Sequence, residues 1–443
     1  MNPHSSTHRM LRWPALALCL FALVTGSPAA TLIKGSTGTN LTLGASWGGS
    51  APGSGDVAAW AGGSLGGALT LPTSASWGGI SLSAASADAS ITGAGTLTLG
   101  IGGIDMSYSA NNLTLANAVV LGASQTWSVA SGKSLTASGG ISGTGLSLTK
   151  AGAGTLTLSG AVVDTFTGGL TANSGALTVD LSTLAPPTDL INNANVLTLG
   201  GGTLTLKGKS SAVTSQTFAS TTLSANRGSV ITLTQNSATS LTAALQGITR
   251  NPGSTLNFSS SPNTTTVIAT TTNGNETSGI LGSWAVLGTT AAPQYATVNT
   301  SSQIVSYSGA TTTTQPANLS DVAGATTNYA YGATPSPTLT GAISANTLRF
   351  TGAAGTLANG GNNITLNGLM NAGTGNRPLS TPRFLKASPA YLHSFTTVPH
   401  LPPNCIFQAS TIPTVAAAPA TVALCIASRA HRGPESACWV PEP

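Results

Sequence analysis

The chain has 443 residues, of which 6% are charged and 5% aromatic, against about a quarter charged in an ordinary globular domain. Its formal net charge of +5 sits at the ends, because between Thr31 and Gly375 eight bases meet eight acids, which excludes a basic footprint for nucleic acid. Apolar residues make up 40% and alternate with polar ones, which excludes a solvated disordered chain and favours strands.

Residues 1–30 carry Arg9 and Arg12, then an apolar run from Trp13 to Val24, then small residues. This is the layout of a secretory signal peptide, with cleavage expected after Ala29. The run is short of the roughly 20 residues a membrane span needs, so no stable transmembrane segment is expected after cleavage. Cys19 lies inside the apolar run behind Leu18, which does not suit lipid attachment.

From Thr31 to Gly375 the text is repetitive. GTLTL occurs at Gly95, Gly154 and Gly202, with relatives NLTLG at Asn40, NLTLA at Asn112, VLTLG at Val196 and NITLN at Asn363. SWGG occurs at Ser46 and Ser76, and GGI at Gly78, Gly102 and Gly139. The uneven spacing reads as strand units separated by variable loops. In each unit two Leu face one side of a strand and two Thr the other, and the branched Thr side chain suits extended backbone. Such short strands cannot bury a core singly, but stacked coils can, with Leu over Leu inside and Thr and Asn ladders outside. The expected fold is all-β, a right-handed parallel β-helix or solenoid of irregular repeats. Few aromatic residues and uneven punctuation count against a β-sandwich.

One span carries a family resemblance. Thr149 to Asp180, with Lys150 to Leu158, Thr165 to Thr171 and Gly175 to Val179 as its matching parts, resembles the autotransporter-associated β-strand repeat. Ala161-Val162-Val163-Asp164 departs from the motif and is expected to alter a loop. Leu156, Leu158, Leu170, Leu177 and Val179 form the expected inward row. The resemblance implies an exported, cell-surface or extracellular β-helical protein of passenger type, with possible periplasmic residence. No span after Gly375 has room for a translocator barrel.

Candidates for chemistry are few. All five His and all four Cys lie outside Thr31–Gly375, so that span holds no thiolate, imidazole or disulfide. Polysaccharide lyases and hydrolases with a parallel β-helix need acids on adjacent coils, and paired carboxylates within about 5–10 Å. Asp164 and Asp180 are the best pair available, with capping of turns as the simpler role for each. Gly100 to Asp105 loosely echoes a calcium-binding repeat and reads as a turn between strands. Trp47, Trp60, Trp77 and Trp127 all fall in the first third; buried end-packing is the expected role, and a carbohydrate platform the competing one. No catalytic, cofactor-binding or metal-binding residue is assigned.

At about Asn376 the composition changes. Residues 376–443 hold one Gly, Gly433, against 53 before it, and eleven of the 24 Pro. Strand pairing should stop there. The expectation is a Pro-rich tail that is disordered or read from a shifted frame.

Together these features point to an exported, non-catalytic structural or adhesion-type β-solenoid, with carbohydrate or cell-surface matrix as candidate partners and no nucleic acid. A polysaccharide-active β-helical enzyme is the alternative, and a fragment of a larger autotransporter-like protein a third reading.

Overall fold

The computed structural model describes residues 29–259, 266–288, 293–333, 336–353 and 355–373, and beyond them only short strand segments between Leu379 and Ala427. The expected signal peptide and most of the tail lie outside the described residues.

The molecule is a parallel β-solenoid of about 14 turns. Two long walls build its first stack. The first passes through ten strands from Thr31–Ile33 to Ile248–Arg250, and the second begins at Gly67–Thr70 and ends at Ile304–Ser306. Each coil contributes one strand to each wall, so neighbouring strands come from successive coils and pair in parallel.

The alternation of Leu and Thr dictates what faces inward. On the second wall Leu113, Leu135, Leu156, Leu177, Leu204 and Ile231 follow one another in register. All six are buried, as are Leu158, Leu170 and Val179 of the expected inward row. Removing each such side chain from water is worth roughly 1.5–3 kcal/mol.

The register explains the uneven spacing of GTLTL. The copy at Gly95 feeds the first wall through Leu97–Met106, while the copies at Gly154 and Gly202 feed the second. The last two are separated by two coils, with Ala176–Asp180 between them. Coil length takes its largest step in mid-chain. From Leu115 through Ala137 and Leu158 to Val179 the steps are 22, 21 and 21 residues, and from Val179 through Leu206 to Leu233 they are 27. The extra residues build a third wall, made of Val213–Thr217, Ser240–Ala244 and Val267–Thr270.

Glycine in the motif answers to the coil above. A Cβ on Gly154 would lie 2.1 Å from the Ala130 carbonyl oxygen, and one on Gly175 would lie 2.4 Å from that of Gly154. Gly175 also has φ +64°, which L-residues with side chains rarely adopt.

Past Ala285–Leu287 the pairing turns antiparallel through Gln294–Val298 and Ile304–Ser306. A second parallel stack follows, containing Asn328–Tyr331, Ile343–Phe350 and Asn363–Asn371, with a separate core around Tyr331, Leu348 and Phe350. The span read as one solenoid therefore holds two stacks. Arg383–Leu385 pairs in parallel with Asn363–Thr365, which carries strand pairing beyond Gly375.

Candidate functional site

The one carboxylate pair weighed for chemistry, Asp164 with Asp180, is not brought together. Asp180 lies on the second wall, and its register partner on the next coil is Lys207, not a second acid. Lys207 Nζ sits 2.9 Å from Asp180 Oδ2. Burial alone would raise the Asp180 carboxyl, but bonds from Ser182 and Lys207 hold it below the usual range. Asp164 instead follows an exposed loop at Val162 and Val163 and turns inward, with 1% exposure. Its main chain bridges Ile191, and its Oδ1 accepts the Ile141 N–H at 2.7 Å. Its Oδ2 is buried with no partner among the described residues. Burial pushes this carboxyl up to about 8. Burial thus favours the neutral form of Asp164, which bonds the Ile141 N–H of the preceding coil.

The other acids are committed in the same way. Asp56 accepts from the N–H groups of Ala30 and Gly53, Asp88 from Asn112, Asp105 from Ser107 and Asp189 from Thr217. Asp321 holds Thr313 and Thr314. Glu276 is exposed; partial desolvation raises its carboxyl, and the Arg250 charge partly opposes that shift. Among the described residues no three His, Cys, Asp or Glu gather where a metal could be held.

Gly100–Asp105 is not a turn between strands. It lies inside the ten-residue strand Leu97–Met106. Trp77 pairs with Leu99 and Gly79 with Gly103, so extra residues bulge outward there, and Ile101 is 83% exposed. Strands bulge in this way when one side carries unpaired residues, and glycine permits the bend.

The tryptophans are core, not platform. Trp47, Trp60, Trp77 and Trp127 are all buried. Trp47 meets Trp60 at 5.5 Å and Trp77 at 5.8 Å, both edge to face, and so fills the first coils. The two SWGG copies differ in form: Trp77 lies in a strand and Trp47 ends a short 3-10 helix, Gly44–Trp47. With every ring inside, none of these four can stack on a sugar.

Alternation puts Lys150 on the inward side, opposite Thr149, although its charge argues against burial. It stands in the inward column beneath Trp127 and above Ala172. Its ammonium donates to the carbonyls of Ala151, Gly152 and Ser174 at 2.7, 2.8 and 3.2 Å. Burial pulls its pKa down to about 8. Lys34 does likewise in the first coil, bonding the carbonyls of Gly35 and Thr37.

The outward strand positions of the two walls carry ladders of hydroxyls. On the first wall Thr126, Thr149, Thr171, Thr198, Thr222 and Thr249 stand in unbroken register. On the second, Ser90, Thr114, Thr136, Thr157, Thr178, Thr205 and Thr232 do the same, and Thr232 meets Ser259 at 2.6 Å. Successive members are about 4.8 Å apart. These two ladders are the most ordered features of the surface. No helix among the described residues is long and apolar enough to cross a membrane. Comparison with family models, with curated proteins and with solved structures finds no match.

Proposed function

We propose that this chain is an exported, non-catalytic scaffold of the extracellular space or cell surface, of adhesion type and passenger-like in build. The observation that carries this reading is the use made of the ionisable groups: Asp56, Asp88, Asp105, Asp164, Asp180, Asp189 and Asp321 each hold a neighbouring loop or coil. A general acid and base need convergent groups with reach to a substrate, and these diverge. The leader read over residues 1–30 supports export. The resemblance of Thr149 to Asp180 to the autotransporter-associated repeat supports a passenger-like build. The long hydroxyl faces supply contact area for carbohydrate or matrix.

The test is expression with the native leader, followed by fractionation and N-terminal sequencing of the exported chain. The expected chain begins at Ala30 and is cut by protease added to intact cells. Purified protein should leave a panel of polysaccharides uncleaved. Cleavage that Asp164→Asn abolishes would overturn the non-catalytic reading.

A further inference from the structure

The coil at each end of a solenoid has a neighbour on one side only, so its other side must be closed. At the start of the first stack the closure is partial. Over the second wall, Leu41 donates to the Thr70 carbonyl and Thr70 to the Thr39 carbonyl. Next to this cover the short helix Gly44–Trp47 drops Trp47 onto Trp60 and Trp77.

The first wall has no such cover. Its outermost strand, Thr31–Ile33, pairs with Val57–Trp60 along one edge only. Val57 donates to the Ala30 carbonyl, and Lys34 to the Ala59 carbonyl. Alternation along a parallel pair therefore turns the main-chain groups of Ala30, Leu32 and Lys34 toward that partner, and those of Thr31 and Ile33 away from it. Among the described residues nothing bonds these outer groups. The inward column ends open as well. Ala58, Ile80, Ile104 and Trp127 follow one another in register and are buried, while Leu32 above them is only half-buried. Ile33 and Leu43, both in this first coil, are each 55% exposed.

Nothing charged guards the edge. Natural sheets keep an open edge single with a charge or a proline, and Thr31-Leu32-Ile33 has neither. The ammonium of Lys34 is held by the carbonyls of Gly35 and Thr37, and Asp56 accepts the N–H groups of Ala30 and Gly53. The edge is also self-complementary. A second copy, turned about a two-fold axis through Leu32, lays its own Thr31–Ile33 antiparallel to the first. Thr31 then stands opposite Ile33 of the second copy on each side of the axis, and the exchange of bonds uses every outer N–H and C=O of both strands. Leu32 meets Leu32 across the axis on the inward side and closes the column.

We propose that two exported chains join head to head through Thr31–Ile33, so that the first wall runs on from one solenoid into the other. The proposal rests on the export reading, because residues still attached ahead of Ala30 would run into the turn that follows Ile33 in the second copy. Removal of the leader leaves the Ala30 nitrogen 3.0 Å from Asp56 Oδ1, which holds the new terminus against its own coil. One short strand makes a small interface, so the dimer is concentration-dependent.

The experiment takes the exported chain, reads its first residues by sequencing, and follows its sedimentation over a wide range of concentration. The expected chain begins at Ala30 and passes from monomer to dimer. Ile33→Pro removes an outer N–H from each copy and should raise the midpoint of dimerisation about tenfold or more. Val213→Lys, at a valine 67% exposed on the third wall, should leave that midpoint within about twofold. Far-ultraviolet circular dichroism checks that both variants stay folded. Should Ile33→Pro misfold, Ile33→Lys gives the same readout by placing like charges at the edge. Leu32→Cys tests the axis directly. Opposed residues of this kind have Cα atoms about 4.5 Å apart, within disulfide reach, so mild oxidation should link two chains at residue 32. A chain that begins at Ala30 and stays monomeric throughout overturns the proposal and leaves the export reading standing. A retained leader overturns the export reading, and this proposal with it. Equal weakening by Ile33→Pro and Val213→Lys, or cross-links of the Leu32→Cys chain through Cys405, Cys425 or Cys438 in place of residue 32, puts the contact elsewhere and overturns the proposal too.

Discussion

At the scale of single residues, burial decides the behaviour of the few ionisable groups. Asp164 is the sharpest case. Well below pH 3.8 its carboxyl is neutral in the folded and unfolded chain alike. As pH rises the unfolded carboxyl ionises near 3.8, while the folded one stays protonated to about 8. Folding stability therefore falls across that window, by up to about 1.4 kcal/mol per pH unit, and levels off above it. Asp164→Asn keeps an oxygen for the Ile141 N–H and cannot ionise. Denaturant titrations should show the variant gaining on the native chain steadily from pH 4 to pH 8; a difference that stays flat with pH would mean the folded carboxyl is already ionised. Lys150 runs the other way. Its folded pKa lies below the ordinary 10.5, so the burden of burying its charge is present below about pH 8 and is relieved as pH rises toward 10.5. Three carbonyls around the ammonium explain why the position tolerates a charge at all.

At the scale of the strand, the inward and outward positions differ sharply in what they contribute. Leu177 lies between Leu156 and Leu204 in a fully buried column, and Thr178 beside it points out. Leu177→Ala should cost about 2–5 kcal/mol of unfolding free energy, and Thr178→Ala no more than about 0.5 kcal/mol, in the same denaturant titration. Similar costs for the two would contradict the register. This much was legible in the sequence, because a period of two in Leu and Thr fixes which residues share a face. The assignment of strands to walls was not. GTLTL reads identically at Gly95 and Gly154, yet feeds different walls, since nothing in five residues records how far around the coil they fall. SWGG shows the same limit: the expected burial of both rings holds, but Trp47 reaches the core from a 3-10 helix and Trp77 from a strand, which four residues do not record. Gly100 to Asp105 looked like a turn because glycine marks both turns and bulges.

At the scale of the whole molecule, the two stacks are joined by specific polar contacts. Asn328 donates to the Ser278 carbonyl at 2.7 Å and accepts from Asn346 and Thr347 at 2.8 and 2.9 Å. It is buried, so Asn328→Ala would leave two donors facing a void. Limited proteolysis of that variant should cut first within the second stack, at a protease level that leaves the native chain whole. Uniform sensitivity along the chain would mean that the stacks unfold as one. The step from coils of 21 or 22 residues to coils of 27 has a bearing on how such a chain can change over generations. A tandem duplication keeps every Leu inside and every Thr outside only if its length equals the local coil. Growth of the gene is therefore quantised in whole coils, of 21 to 24 residues on the second wall before Val179 and 27 to 29 after it, and insertions of other lengths must loop out or be lost.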